Sequence, residues 1–109
     1  MVLFFFYNNL TDIEIIKKIN RNFEINDGYV LVNKYDSKNN ILEISNHSID
    51  NNILLCGKIV NFNMKIEDVV IKINEIEECK LKNKQSKYIL NTIWANKICG
   101  GVYKAHIIY

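Results

Sequence analysis

The sequence predicts one α+β domain in which a small mixed sheet curls into a barrel, with two helices packed outside it. The length of 109 residues matches one compact domain. Short apolar runs typical of strands follow one another directly along most of the chain. Two further segments carry apolar residues at the spacing of three and four that an amphipathic helix produces. Strands in succession, with few helices between them, favour a curled sheet over a parallel α/β fold.

The chain opens with an apolar strand that leads into a polar turn. Residues 2–7 form a continuous, aromatic-rich run, which is typical of a strand covered on both faces. Asn8 and Asn9 end the strand, because asparagine tolerates turn conformations. Thr11 begins a Thr-x-x-Glu capping box, which predicts a helix ending near Asn22. The turn between this strand and this helix is the first candidate ligand site.

The rest of the sheet is predicted from five shorter runs. These lie at residues 28–32, 41–44, 53–60, 87–94 and 102–109. The first two of them are predicted to form a hairpin, and the last two a second hairpin across a Gly-Gly turn. Gly57 lies inside the third run, where a glycine indicates a bulge or the close approach of another backbone or a ligand.

The second helix is predicted at residues 65–78, with Asn63 as its N-cap. Its apolar stripe is formed by Ile66, Val69, Val70 and Ile73, and Glu77 continues that stripe. A carboxylate buried at the end of an apolar stripe has a raised pKa and can exchange protons near neutrality. The alternative is an ordinary helix-end residue whose carbons pack while its carboxylate reaches water.

The aromatic run and the single tryptophan are predicted to be core residues: residues 4–6, Tyr7 and Trp94. Cys56, Cys79 and Cys99 include no close pair, and neither histidine stands at ligand spacing from them. The sequence therefore predicts structural thiols in a reducing, cytoplasmic compartment, with no metal site and no cofactor. The first strand is too short to span a membrane, so no membrane partner is predicted.

Charge and composition weigh against nucleic acid as a partner. The net charge is only +2, and the single Arg is outnumbered by 13 Lys spread along the chain. The densest basic stretch, residues 80–87, is interpreted as a solvated loop, with a phosphate-contacting loop as the alternative. The 19 Ile and 17 Asn indicate AT-rich codons, as in an AT-rich microbe or a large DNA virus, in which case the compartment is the host cytoplasm.

The order of these features resembles the gamma-glutamyl cyclotransferase-like superfamily, which includes the gamma-glutamylamine cyclotransferases. In that family the first strand ends in Tyr-Gly-Thr/Ser-Leu, and Tyr7 and Leu10 match its ends. A middle strand of the family reads Gly-x-Val/Ile-Tyr/Trp, and Gly57 matches its glycine. The family's helix ends in Leu-Asp-x-x-Glu, where this chain has Ile73 and Glu77.

The resemblance implies a fold, an activity and a set of site residues. The fold is the curled barrel with outer helices, and the activity is release of 5-oxoproline and an amine from a gamma-glutamyl compound. Glu77 corresponds to the catalytic acid and base. The residues corresponding to the substrate-binding positions are Tyr7, Asn8, Asn9, Leu10, Gly57 and Tyr88. The implied partner is a small gamma-glutamyl substrate or a related carboxylate; the oligomeric state is left open.

A second hypothesis is a catalytically inactive member that binds a small ligand or another protein. Asn8 and Asn9 stand where the family has glycine and a hydroxyl residue. Tyr88 is followed by Ile89 and Leu90, whereas the family pattern is Tyr-x-Arg. A third hypothesis is a nucleic-acid module that uses residues 80–87, and it ranks last.

Overall fold

The computed structural model describes residues 2–39, 41–80 and 90–108, with the side chains of residues 77–80 left out. In these ranges seven strands and two helices follow one another: β1 (Val2–Phe6), α1 (Ile13–Ile19), β2 (Phe23–Val32), β3 (Lys34–Asp36), β4 (Ile41–Glu43), β5 (Ile53–Phe62), α2 (Ile66–Lys80), β6 (Leu90–Lys97) and β7 (Val102–Ile108).

Five of these strands close a barrel in the order β1-β5-β2-β6-β7. The neighbouring strands are antiparallel except at the closure, where β1 runs parallel to β7 and Phe4 lies opposite His106. The sheet is therefore mixed, and the expectation of a small barrel with two helices is confirmed at the level of architecture.

The wall of the barrel separates two apolar clusters. Phe5 belongs to the inner cluster, which draws on all five barrel strands and includes Ile59. Phe4 and Phe6 belong to the outer cluster, where they pack with residues of both helices such as Ile16 and Ile73. Successive side chains of a strand point to opposite faces. The continuous apolar run of β1 is therefore explained by burial on both faces, as the sequence predicts.

Both helices begin later than predicted. Asp12, not Thr11, caps α1: its carboxylate accepts a bond from the N–H of Glu14 at 2.9 Å. In α2 the N–H of Val69 donates to the carbonyl oxygen of Lys65, which makes Lys65 the N-cap in place of Asn63. Helix α1 also ends at Ile19 rather than near Asn22, because its C-cap is extended and the chain turns directly into β2.

The prediction that residues 28–32 and 41–44 pair as a hairpin is wrong. Strand β2 pairs along its whole length with β5, from Phe23 opposite Phe62 to Val32 opposite Ile53. Strand β4 pairs instead with β3 in a separate two-stranded sheet. The chain leaves the barrel at Asn33, whose N–H donates to the carbonyl oxygen of Glu43 at 2.9 Å. Both β2 and β5 are longer than the apolar runs that predicted them, since they continue through polar residues.

The predicted second hairpin is confirmed. Strands β6 and β7 pair from Leu90 opposite Ile108 to Asn96 opposite Val102. The turn between them places Gly100 and Gly101 at φ of 118° and 100°, a region that favours glycine.

Trp94 is not a core residue, which corrects the prediction made from its size. On β6 the buried Ala95 and the half-buried Ile93 face the barrel interior, so Trp94 points outward and is exposed. Cys56 and Cys99 are also exposed, whereas the prediction made them structural residues. In the described parts of the chain, no helix is long and apolar enough to cross a membrane. Residues 81–87 of the lysine-rich stretch lie outside the described residues.

Candidate functional site

The turn after β1 is organised by the side chain of Asn8. Its Oδ1 accepts a hydrogen bond from the N–H of Leu10 at 3.1 Å, and its carbonyl oxygen accepts one from the hydroxyl of Thr11 at 2.8 Å. They accompany a short 3₁₀ turn at residues 9–11, in which the N–H of Thr11 donates to the backbone carbonyl oxygen of Asn8 at 3.0 Å. Asn9 is exposed, whereas Leu10 is buried in the outer cluster. The turn predicted from two asparagines is therefore present. The N–H of Leu10 within it is already bonded to the side chain of Asn8.

Tyr7 lies at the mouth of the barrel. Its hydroxyl donates to the carbonyl oxygen of Ile108 at 3.3 Å, which ties the end of β1 to the end of β7. Its ring lies parallel to that of Phe5 at 6.5 Å and edge-on to that of Tyr35 at 5.7 Å. Tyr7 is half-buried, and its ring packs against this end of the inner cluster.

Tyr35 contacts the predicted site residue Tyr7, and the sequence did not predict this contact. It belongs to β3, between the predicted strands at residues 28–32 and 41–44, and it packs against the inner cluster together with Ile44 and Tyr7. The alternation of Tyr35 with the polar Lys34 and Asp36 is the only signal that could have indicated a short strand. The β3–β4 hairpin therefore covers the end of the barrel next to the candidate site.

Gly57 brings β5 against the end of β1. A Cβ built on Gly57 would overlap the carbonyl oxygen of Phe6 and would lie 2.8 Å from Cζ of Phe5. Across the ladder, Gly57 lies opposite Gly28 of β2, so neither strand carries a side chain at this level of the wall. The prediction that Gly57 marks a close backbone approach is confirmed. Its neighbour is the residue that immediately precedes Tyr7.

The same end of the wall carries an ion pair on its outer surface. Lys58 lies opposite Asp27 in the β2–β5 ladder, and their side chains are bonded to each other. Both side chains are partly exposed, so the pair contributes at most about 1 kcal/mol to stability. It supports the register that places Gly57 opposite Gly28 rather than contributing to a reaction.

Helix α2 carries the buried apolar stripe that Glu77 is predicted to continue. Val69 and Ile73 are fully buried, and Ile76 is partly buried, in the outer cluster that also contains Leu10. The predicted apolar stripe is thus confirmed up to Ile73, and Glu77 follows one helical turn later in the same helix. The side chain of Glu77 and the whole of Tyr88 lie outside the described residues, so their roles stay predictions.

The turn of the β3–β4 hairpin is held by Asp36. The side-chain amide of Asn39 donates to one carboxylate oxygen at 2.7 Å, and the N–H groups of Asn39 and Lys38 donate to the other. These hydrogen bonds, with the amide of Asn39 as the largest cause, lower the pKa of Asp36 below its ordinary value. Asp36 consequently stabilises the hairpin above its unfolded pKa, and that stabilisation is lost as pH falls through the lower folded pKa.

Replacing Asn39 with alanine is expected to raise the pKa of Asp36 toward that of a free aspartate, about 3.9. The reason is that the largest of the bonds favouring the charged form is removed. Carboxyl ¹³C chemical shifts measured across an acid titration check this result. An unchanged midpoint for Asp36 would contradict the account of the hairpin turn.

Three clefts lie away from the end of β1. Arg21, Asn22 and Asn61 contribute to a cleft of about 340 Å³. The outer face of α1 borders a second, open depression, and Leu31 and Trp94 border a third of about 190 Å³. Among the described residues no three His, Cys, Asp or Glu side chains group closely enough to hold a metal ion.

Among the described residues, Gly57 of β5 lies against the end of β1, and Leu10 of the turn after β1 shares a cluster with Val69 and Ile73 of α2. No family model, curated protein or solved structure matches the chain.

Proposed function

We propose that this chain is a gamma-glutamyl cyclotransferase-type enzyme that releases 5-oxoproline and an amine from a gamma-glutamyl compound. One observation carries the proposal. Gly57 lies against the carbonyl oxygen of Phe6, directly before Tyr7. Two short patterns that are far apart in the sequence, and that the resemblance assigns to one substrate site, are thereby neighbours in space.

The proposed reaction is an internal aminolysis. The free α-amine of the glutamyl group attacks the side-chain carbonyl carbon, forming the C–N bond of a five-membered ring. The original amide C–N bond breaks, and the amine leaves. The attacking nitrogen must lose a proton and the leaving nitrogen must gain one, so a single carboxylate close to both can transfer the proton. No cofactor or metal is needed for this balance of atoms and electrons.

Glu77 is proposed as the carboxylate that transfers the proton. Support comes from α2, because Val69 and Ile73 bury its inner face in the cluster that holds Leu10. Residue 77 lies four residues, or one helical turn, after Ile73, and therefore falls on the same face of α2. A carboxylate with few water neighbours is also the kind that titrates near neutral pH.

The turn after β1 is proposed to hold the glutamyl end of the substrate. Backbone N–H groups in such a turn can stabilise a carboxylate or the oxyanion that forms on the attacked carbonyl. Tyr7 and Gly57 would bound the site on the barrel side, with Asn9 and Tyr88 as further substrate contacts. A cytoplasmic location is proposed with this function, since Cys56 and Cys99 are free thiols.

The direct test is product formation by the purified chain. Incubation with gamma-glutamylamines, gamma-glutamyl dipeptides and glutathione should give 5-oxoproline and free amine in equal amounts from at least one of them. The matched control substrates are the α-glutamyl isomers, whose amine cannot close the same ring with release of that amine. Absence of 5-oxoproline from every gamma-glutamyl compound would reject the enzymatic function.

A catalytically inactive binding domain is the second candidate, and one contact favours it. The N–H of Leu10, a donor that a substrate would use, is bonded to Oδ1 of Asn8 within the protein. Saturable binding of 5-oxoproline or glutamate measured by calorimetry, without any turnover of gamma-glutamyl compounds, would support this function over the first.

Replacing Asn8 with glycine is expected to increase the affinity for the glutamyl group, because it releases the N–H of Leu10 for the ligand. The cost in stability is small, a few tenths of a kcal/mol, since glycine is nearly as good as asparagine in a capping position. Calorimetry with 5-oxoproline and a urea denaturation curve measure the two effects. Weaker binding by the variant would show that the Asn8 amide itself contacts the ligand.

A further inference from the structure

A cleft of about 340 Å³ lies at the end of the barrel where β2 begins and β5 ends. Its walls come from the turn between α1 and β2, from the first residues of β2 and from the end of β5. The lining residues are Arg21, Asn22, Phe23, Glu24, Asn61 and Asn63. The volume falls in the lower part of the range of about 300–1,000 Å³ for small-molecule sites, which often lie at the mouths of β-barrels.

The register of the sheet turns a carboxylate and an amide toward the interior at this end of the barrel. Glu24 lies directly opposite Asn61 in the β2–β5 ladder. Asn61 follows Ile59 of the inner cluster by two residues, and it lies opposite Leu3, which packs against that cluster. Because alternate residues of a strand share a face, Glu24 and Asn61 lie on the interior face of the sheet. That face is apolar around Ile59 and polar at the cleft.

The side chain of Asn20 links the two walls of the cleft. Its Oδ1 accepts a hydrogen bond from the N–H of Asn22 at 2.9 Å, directly after Arg21. Its amide nitrogen donates to Sδ of Met64 at 3.6 Å, and Met64 is the residue that follows Asn63. The segments that carry Arg21 and Asn63 are therefore tied together before a ligand binds. A site that is ordered in advance loses less conformational freedom on binding.

The cleft contains one positive and one negative side chain. Arg21 is the single Arg of the chain, and both it and Glu24 are exposed. In the part of the chain that the structure describes, neither of them forms an ion pair, with each other or with a third residue. A guanidinium can bond both oxygens of a carboxylate, and a carboxylate accepts hydrogen bonds from an ammonium group. Both side chains are therefore available to a ligand that carries the two opposite charges.

We propose that this cleft binds a free α-amino acid with an uncharged polar side chain. The guanidinium of Arg21 bonds the α-carboxylate of the ligand, and the carboxylate of Glu24 accepts hydrogen bonds from its α-ammonium group. A ligand with only a negative charge is disfavoured, because it would bring a like charge toward Glu24. The amides of Asn22 and Asn63 bond the polar side chain of the ligand, since an amide both donates and accepts.

This site is separate from the site proposed for catalysis. Asn61 lies opposite Leu3 near the start of β1, whereas Tyr7 follows the end of β1. The two sites therefore lie toward opposite ends of that strand. Binding of an amino acid in the cleft does not depend on turnover of a gamma-glutamyl compound, and neither result decides the other.

The test is calorimetric titration of the purified chain with L-serine, L-threonine and L-asparagine. At least one of them is expected to bind with a dissociation constant at or below about 1 mM, with titration up to about 10 mM. The matched control ligands are the N-acetyl derivative and the α-amide of the amino acid that binds. Each lacks one of the two charges, so each should bind at least about tenfold more weakly, the usual effect of losing a hydrogen bond to a charged group.

Two variants locate the binding in the cleft. Arg21→Gln and Glu24→Gln should each raise the dissociation constant at least about tenfold, for the same reason. The matched control is Lys18→Gln, because Lys18 is exposed and borders the neighbouring depression on α1 but not this cleft. Its affinity should equal that of the wild type. All three side chains are exposed, so the thermal midpoints should stay close to that of the wild type.

Failure of all three amino acids to bind would overturn the proposal. Equal affinity for the amino acid and both of its derivatives would also overturn it, and this comparison uses the unaltered chain, so it does not depend on the folding of any variant. An affinity that both Arg21→Gln and Glu24→Gln leave unchanged would place the bound amino acid elsewhere and would reject the cleft as its site.

Discussion

Replacing Gly57 with alanine is expected to destabilise the protein by about 3 kcal/mol, at the upper end of the cost of overpacking a core. The added methyl group would overlap the carbonyl oxygen of Phe6 and press on the ring of Phe5. Neither neighbour can move easily, because Phe6 lies in the β1–β5 ladder and Phe5 is buried inside the barrel. Such a loss is a large part of the roughly 5–15 kcal/mol that stabilises a domain. The midpoint of urea denaturation measures it.

The matched control for this prediction is Gly100→Ala. Gly100 has open space around its Cβ position but a positive φ of 118°, so an alanine there meets backbone strain alone. That strain costs about 1–2 kcal/mol. The expected order of stability is therefore wild type, then Gly100→Ala, then Gly57→Ala. A loss below about 1 kcal/mol for Gly57→Ala, under the range for overpacking, would contradict the close contact of β1 and β5.

The apolar patterns of the sequence predict most of the fold because they report burial directly. The continuous run in β1 indicates a strand covered on both faces, and Phe4 and Phe5 do lie in different clusters. The stripe of α2 indicates its buried face, which Val69 and Ile73 confirm. These predictions need only the spacing of apolar residues within one segment of the chain.

The parts that could not be predicted depend on which elements meet in space. Alternation along β6 shows that Trp94 and Ala95 face opposite ways, but not which of the two faces the barrel interior. Likewise, the short runs of β3 and β4 do not reveal that β2 is already paired on one side with β5 and on the other with β6. Strand partners are set by the closure of the whole barrel.

The candidate site was predictable only where its features depend on the local sequence. The turn after β1 and the close approach at Gly57 follow from residue types whose backbone behaviour is local. The contact between Oδ1 of Asn8 and the N–H of Leu10 is also local. The position of Tyr35 over Tyr7 is not, since it depends on the hairpin that leaves the barrel at residue 33.

Replacing Glu77 with glutamine is expected to reduce the rate of 5-oxoproline release by about 10²–10⁴-fold, the usual contribution of a positioned general acid and base. The glutamine side chain keeps the shape but cannot accept and return the proton. Folding should be unaffected, because the change removes a charge without removing packing. A circular dichroism spectrum and a thermal midpoint close to those of the wild type establish that the variant is folded.

Glu75 provides the matched control for Glu77. It lies in the same helix, is exposed and is 3.9 Å from Lys72, with which it forms a weak surface ion pair. Glu75→Gln removes the same charge from the same helix without touching the face that Val69 and Ile73 bury. Its activity should equal that of the wild type.

The central claim is tested most directly by the initial rate of 5-oxoproline formation from a gamma-glutamylamine, measured side by side for the wild type, Glu77→Gln and Glu75→Gln. The account predicts product from the wild type and from Glu75→Gln, and a rate at least about 100-fold lower from folded Glu77→Gln. Equal rates for the wild type and Glu77→Gln, or no product from any of the three, would contradict it.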